Sequence, residues 1–315
     1  MLLDGVKIIL PFKLIYDERY DLNLGAHVFP SQKYRMIHDR LLAEGIAAPE
    51  DFLSPEPATD EDVLRVHTPA YVHKLKTGTL SATEIMVLEI PYSQKLMDAC
   101  WLGAGGSILA ARRALADGFA ANIGGGFHHA YPNHGEGFCV LHDVAIAIRR
   151  MQFEGLVETA MVVDTDVHQG NGTAAIFAND ASVFTLSIHQ EHNYPSVKPP
   201  STMDINLPNN VGDEDYLAIL GKYLHQAFQD FAPQLLFYVG GADPYREDQL
   251  GGLALTMDGL ARRDRLVFDY ARRLRVPVAI TLAGGYARRV ADTVEIHCNT
   301  MVAARDAAIL TRDDS

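Results

Sequence analysis

Thr159-Ala-Met-Val-Val-Asp-Thr-Asp-Val-His168 is the stretch on which the fold turns. Its first half is a short, nearly continuous apolar run, as a strand buried on both faces of a parallel sheet requires. Its second half sets Asp164, Asp166 and His168 at alternate positions. Four more runs share the apolar character: 119–124 (FAANIG), 182–189 (SVFTLSIH), 234–241 (QLLFYVGG) and 277–285 (PVAITLAGG). Helical patterns separate them. Asp213 is expected to cap one helix, with Leu217, Leu220, Leu224, Phe228 and Phe231 following at helical spacing. Thr256 is expected to cap another that runs to about Arg275, ahead of Pro277. Residues 31–45 and 92–117 also read as helices, the second weakened locally by the glycines of 103–106. Residues 190–202 hold three prolines and read as an irregular loop. The fold class is therefore α/β: a single domain over 1–315 with a central, mostly parallel sheet flanked by helices on both faces.

That layout predicts where function lies, because ligands of open α/β sheets bind outside the carboxyl ends of the strands. The unusual polar clusters fall at four such ends: VVDTDVH, GGFHHA, VGGADPY and LAGGY. A strand has no structural need to end in Asp, His or Tyr, so four of them together point to chemistry.

Composition narrows the class of that chemistry. Of the 315 residues, 48% are hydrophobic and 21% charged, the balance of a globular protein with a sizeable core. No apolar run approaches the roughly 20 residues that span a bilayer. The N-terminal Met1–Tyr20 stretch reads as a first strand, without the basic start and cleavage site of a secretory signal. Cys100, Cys139 and Cys298 are odd in number and far apart, which favours a reducing, cytoplasmic setting. A net charge of −13 speaks against nucleic-acid partners, which need neutralised phosphates, and against anionic membranes.

Asp164, Asp166 and His168 are three potential ligands, and if the extended geometry persists all three point to one side, where an Asp and a His two residues apart can hold one ion. Asp243, just past the strand ending at Gly241, can add a ligand from a neighbouring strand. Two carboxylates and one imidazole leave zinc an open position, the mark of a catalytic site. Such an ion polarises an amide carbonyl and acidifies water. Fe²⁺ also suits this donor set.

His128 and His129 follow three glycines at a strand end. Adjacent histidines cannot both bind one small site without strain, so proton transfer is the expected role. Asp164 can orient one imidazole and Asn171 the other. Tyr286 follows Gly284-Gly285, where a phenol can donate to an oxyanion.

Residues 124–148 (GGGFHHAYPNHGEGFCVLHDVAIAI), 162–174 (VVDTDVHQGNGTA), 240–252 (GGADPYREDQLGG) and 282–289 (LAGGYARR), in this order, resemble the zinc-dependent histone deacetylase superfamily. Residues 27–42 (HVFPSQKYRMIHDRLL) and the HQGNG segment look most like its class IV branch and bacterial relatives. The resemblance implies the arginase/deacetylase fold, with Asp166, His168 and Asp243 as zinc ligands. It makes His129 the general base, His128 its electrostatic partner and Tyr286 the binder of the substrate carbonyl. Asp164 would also help hold a structural potassium with Ser187 and the backbone of Asp166, His168 and Ile188. Phe177, Asp180 and Val183 match a second monovalent site. Gly137 and Phe138 would line the acyl-lysine channel, with Leu250 at its mouth or wall and Cys139 near its floor. Leu141-His142 stands where many relatives have an aromatic residue followed by Asn or Ala, so that wall is expected to differ.

The activity so implied is hydrolysis of an acyl group, acetyl or longer, from a lysine side chain of a protein or peptide. An acetylated polyamine or other small acyl-amine is the alternative substrate. More distant readings are a two-manganese ureohydrolase and a non-catalytic acyl-lysine binder. Oligomer formation is left open by the sequence.

Overall fold

Eight short strands build one sheet in the computed structural model, which describes residues 10–313. They are β1 (Lys13–Ile15), β2 (Phe52–Leu53), β3 (Phe119–Asn122), β4 (Ala160–Asp164), β5 (Val183–Gln190), β6 (Met203–Leu207), β7 (Leu235–Val239) and β8 (Val278–Thr281). Their order across the sheet is β2-β1-β3-β8-β7-β4-β5-β6, and every pairing is parallel. The five expected strands are β3, β4, β5, β7 and β8. Within the expected N-terminal strand, residues 1–9 lie outside the described residues, and β1 is the part that pairs.

The helices among the described residues are α1 (Lys33–Ala43), α2 (Asp60–Val63), α3 (Pro69–Thr77), α4 (Ala82–Leu88), α5 (Gln94–Asp117), α6 (Asp143–Phe153), α7 (Asn171–Phe177), α8 (Asp213–Asp230), α9 (Met257–Arg273) and α10 (Val290–Asp313). None of them is long and apolar enough to cross a membrane.

Successive strand side chains point to opposite faces, and the core divides accordingly. Met161 and Val163 of β4, Leu236 and Tyr238 of β7, and Val278 and Ile280 of β8 join one apolar cluster with α1, α8, α9 and α10. Ala160, Val162, Leu235, Phe237 and Ala279 join a second cluster with α3, α5 and α6. Helices cover both faces, which is why these strands read as continuous apolar runs rather than alternating ones.

Three local expectations are corrected. Gly212, not Asp213, is the N-cap of α8, and the half-buried Leu217 yields the core stripe to Tyr216. The Asp213 carboxylate instead accepts the Thr256 N–H at 2.8 Å and its hydroxyl at 2.6 Å, tying α8 to the cap of α9. The glycines of 103–106 do not interrupt α5. A Cβ at Gly105 would collide with the Glu56 carbonyl, so the small residues let another segment lie against the helix.

Candidate active site

β3, β8, β7 and β4 are consecutive at the centre of the sheet, and the segments leaving their carboxyl ends carry the polar residues singled out in the sequence. The ladder between β4 and its neighbours ends at Asp164, opposite Ser187 on one side and Val239 on the other. Beyond it the extended geometry does not persist, and the chain bends through two turns stabilised by side chains. Asp164 Oδ1 accepts the Asp166 N–H at 3.1 Å, and Asp166 Oδ1 accepts the His168 N–H at 3.0 Å. Each Asp thus satisfies the backbone donor two residues on, a local bond this side chain makes readily. Asp164 is turned away from the other two and toward His128.

Asp166, His168 and Asp243 converge, with one potential ligand atom of each within 4.8 Å of the others. His168 Nδ1 lies 3.0 Å from Asp166 Oδ1 and 3.3 Å from Asp243 Oδ2. All three residues are buried. Asp243 Oδ1 accepts the Val167 N–H at 2.8 Å, while the buried Oδ2 has no hydrogen-bond partner among the described residues. An unpaired carboxylate oxygen in a dry site is costly. Burial and the charge of Asp166 push the Asp243 carboxyl upward, and His168 is raised because Asp166 and Asp243 outweigh the burial that opposes its charge. Two carboxylates and an imidazole around one orphaned oxygen fit a divalent cation of the zinc or iron type. Space is reserved for them: a Cβ at Gly241 would lie 2.5 Å from Asp166 Oδ2, and one at Gly284 would overlap Asp243 Oδ2.

His128 and His129 stack obliquely beside this cluster, ring centroids 4.1 Å apart. His128 Nδ1 lies 2.7 Å from Asp164 Oδ2, and His129 Nδ1 lies 2.7 Å from Asn171 Oδ1. Burial disfavours charge on both, but Asp164 and Asp166 overcome it at His128 and raise it to about 9. Burial, with His128 and His168 nearby, drives His129 far below its usual value. One imidazole is held charged and the other neutral, the division proton transfer requires.

Tyr286 is buried, and burial beside Asp166 and Asp243 keeps its phenol protonated and able to donate. Its N–H donates to Asp248 Oδ2 at 2.6 Å, while Asp248 Oδ1 accepts the Leu250 N–H at 2.8 Å and the Gly251 N–H at 3.0 Å. A cleft opens above, lined by His129, His168 and Tyr286 at its polar end and by Phe138, Tyr194 and Leu250 along its walls. Gly137 also lines this cleft, while Cys139 lines a smaller space shared with His129 and Tyr286. Leu141 and His142 are not part of the cleft wall: both are buried, and His142 caps α6 by accepting the Ala145 N–H at 3.1 Å.

A match to the histone deacetylase domain covers residues 27–301. The chain belongs to the histone deacetylase family. Among relatives of the family, an uncharacterized protein of Picosynechococcus is 42% identical over 89% of this chain and 93% of its own. Histone deacetylase 2 of Arabidopsis thaliana is 31% identical, covering 90% of this chain and 77% of that one. A probable deacetylase of Archaeoglobus fulgidus is also 31% identical, over 87% and 81%. The crystal structure of the HDA15 HD domain superposes with a TM-score of 0.79 over 96% of this chain and 92% of that one, at 24% identity, a likeness of fold. Membership of the histone deacetylase family supports a deacetylase-type amidohydrolase.

The sequence did not single out Glu136, Tyr194, Arg263 or Asp264. Arg263 and Asp264 form a fully buried ion pair at 2.8 Å. Arg263 Nη1 donates to the carbonyl of Gly241 at 2.6 Å and reaches that of Thr165 at 3.3 Å. It thus bridges the ends of β7 and β4 just where their ladder stops, next to Asp243 and Asp166. A charged pair inside an amphipathic helix was the available signal, but RRDR reads as a solvated face without the structure.

Proposed function

We propose that this protein hydrolyses acylated lysine side chains, with a divalent ion held by Asp166, His168 and Asp243. The observation that carries the reading is the cleft itself: apolar walls of Phe138, Tyr194 and Leu250 end at His129, His168 and Tyr286. An extended aliphatic chain ending in an amide matches that profile of apolar wall and polar floor.

Zn²⁺, or Fe²⁺ in the cell, supplies Lewis acidity that polarises the amide carbonyl and acidifies water. The neutral His129 takes a proton from the attacking water as its oxygen bonds to the carbonyl carbon. The Tyr286 hydroxyl donates to the carbonyl oxygen as negative charge builds there. His128, kept charged by Asp164, stabilises that charge, and when the carbon–nitrogen bond breaks the proton held on His129 passes to the leaving nitrogen with His128 assisting. The products are a free lysine amine and a carboxylate.

Asp164 and Ser187, adjacent across β4 and β5, would hold potassium together with the Ile188 backbone. At the second monovalent position, the Phe177 carbonyl accepts the Asp180 N–H at 3.1 Å and the Asp180 carbonyl accepts the Val183 N–H at 3.2 Å. The resemblance would have the backbone oxygens of Phe177, Asp180 and Val183 hold a second monovalent ion there.

Glu89 on the cleft rim favours a second substrate, an acetylated polyamine, whose distal ammonium it would meet. Purified enzyme assayed on lysine peptides bearing acetyl to long-chain acyl groups, beside acetylspermidine, separates the two. Turnover of the peptides is expected, and turnover confined to the polyamine would overturn the lysine assignment.

A further inference from the structure

One acidic side chain beside the cleft has no part in the chemistry above. Glu136 precedes Gly137 and Phe138, both of which take positive φ (52° and 67°), and this turn directs the Glu136 side chain inward to 15% exposure. Its Oε1 accepts the Asn171 side-chain N–H at 2.5 Å and the Tyr194 hydroxyl at 2.9 Å. Its Oε2 lies 3.2 Å from His134 Nε2. On the far side of Asn171, Oδ1 faces His129 Nδ1 at 2.7 Å and also accepts the Gly172 N–H at 3.1 Å. Glu136, Asn171 and His129 are therefore in line.

Each link dictates the next. An asparagine amide has nearly the same shape in either orientation, so packing alone does not set which end faces the imidazole. A carboxylate can only accept, so the Asn171 NH₂ must face Glu136. Its oxygen must then face His129, as the Gly172 N–H on that oxygen also demands. A carbonyl oxygen only accepts, so His129 Nδ1 must carry the ring's hydrogen. The lone pair of the neutral ring is left on Nε2, the one nitrogen not engaged by Asn171. With Asn171 reversed, its NH₂ would need a lone pair on Nδ1, the hydrogen would move to Nε2, and the ring could not accept a proton there.

We propose that Glu136 is a positioning residue that sets the tautomer of His129 through Asn171, with the Tyr194 hydroxyl as its second anchor. The inference rests on His129 acting as the base of the proposed reaction. Tyr194 adds enclosure: its ring packs edge-on to His129 at 4.9 Å between centroids, keeping the relay beside the cleft wall.

The test uses zinc-loaded enzyme with Glu136→Met, which removes the acceptor at similar size, Glu136→Gln, which keeps one acceptor oxygen, and Glu136→Met combined with Asn171→Asp. In the double variant a carboxylate faces His129 directly and can only accept, so it restores the tautomer without Glu136. Steady-state kinetics and zinc content are read with ¹⁵N NMR of the His129 ring. Glu136→Met is expected to lower kcat by about 10²- to 10⁴-fold, the usual share of a general base, with KM and zinc content unchanged. Its ¹⁵N spectrum should gain the Nε2–H form. Glu136→Gln should keep most of the rate, and the double variant should recover to within about tenfold of the wild type. Unchanged kcat in Glu136→Met overturns the proposal, as does a loss that follows zinc content and is not recovered by Asn171→Asp. If Glu136→Met fails to fold, Glu136→Ala is read in its place for the same gain of the Nε2–H form, and hydrogen on Nε2 of the wild-type ring overturns the proposal outright. An enzyme inactive on every acyl-amine would sink the proposed function, while the NMR arm still reports on the tautomer.

Discussion

The Arg263 guanidinium donates to the Gly241 carbonyl at 2.6 Å, two residues before Asp243. The same group reaches the Thr165 carbonyl, next to Asp166, so one side chain holds two of the segments that would bind metal. Its charge is satisfied by Asp264, which also accepts the Tyr238 hydroxyl at 2.5 Å and the Thr300 hydroxyl at 2.6 Å. Arg263→Met leaves Asp264 buried and unpaired, a change that costs about 3–5 kcal/mol. Arg263→Lys keeps the charge but not the fork. The expected result for Arg263→Lys is a folded protein with zinc affinity lowered at least about tenfold, measured by chelator competition. Unaltered affinity beside a lowered melting temperature would reduce Arg263 to a stabilising role.

Tyr286→Phe removes only the phenol hydroxyl. Zinc binding should persist, because Asp166, His168 and Asp243 are untouched. kcat should fall by about 10²- to 10³-fold, the usual effect of deleting one oxyanion donor. Metal content and single-turnover rates of the variant check both halves, and a normal rate contradicts the assigned donor.

Lys33 is fully buried, and its Nζ donates to the Ala283 carbonyl at 2.6 Å. Burial lowers it from the usual 10.5 to about 8, although Asp243, Asp166 and Asp248 pull the other way, and His297 lies close enough to feel its charge. The folded state therefore prefers the neutral amine, and the charged form opposes folding. That penalty is about 3 kcal/mol. It acts in full below pH 8, fades as pH rises from about 8 to 10.5, and is gone above, so stability climbs across this window. Urea unfolding of metal-free protein at several pH values should show the climb in the wild type and a flatter profile in Lys33→Met. Parallel profiles would show that Lys33 does not cause it.

Gly105 lies where α5 touches residues 56–58, and the Ala58 N–H donates to the Trp101 carbonyl of that helix at 2.9 Å. A Cβ there would strike backbone, which cannot rotate away. Gly105→Ala should destabilise the protein by at least about 1–3 kcal/mol despite the better helix propensity of Ala. A raised melting temperature would contradict the packing account.

How much of this was legible follows from what periodicity records. The five strands buried on both faces stood out as apolar runs, and their polar ends located Asp166, His168, Asp243, His128, His129 and Tyr286 before any contact was known. β2 has two residues and the edge strand β6 alternates as MDINL, so neither gives the run that marked the others. The sequence left Asp164 either beside Asp166 and His168 or paired with an imidazole, and two side-chain turns after β4 leave it on His128. Glu136 and Arg263 were invisible for a different reason. Their importance lies in what they touch, Asn171 in one case and the Gly241 carbonyl in the other, 35 and 22 residues away. Residue type alone gave an ordinary loop acid and an ordinary helix arginine.

The central claim is that Asp166, His168 and Asp243 hold one divalent ion on which acyl-lysine hydrolysis depends. Its most direct test titrates zinc into chelator-stripped enzyme while following carboxylate release from an acetyl-lysine peptide. Activity should rise linearly and saturate at one ion per chain, and Asp166→Ala should neither bind nor turn over. Full activity in the stripped enzyme, or saturation only at two ions per chain, would contradict the account.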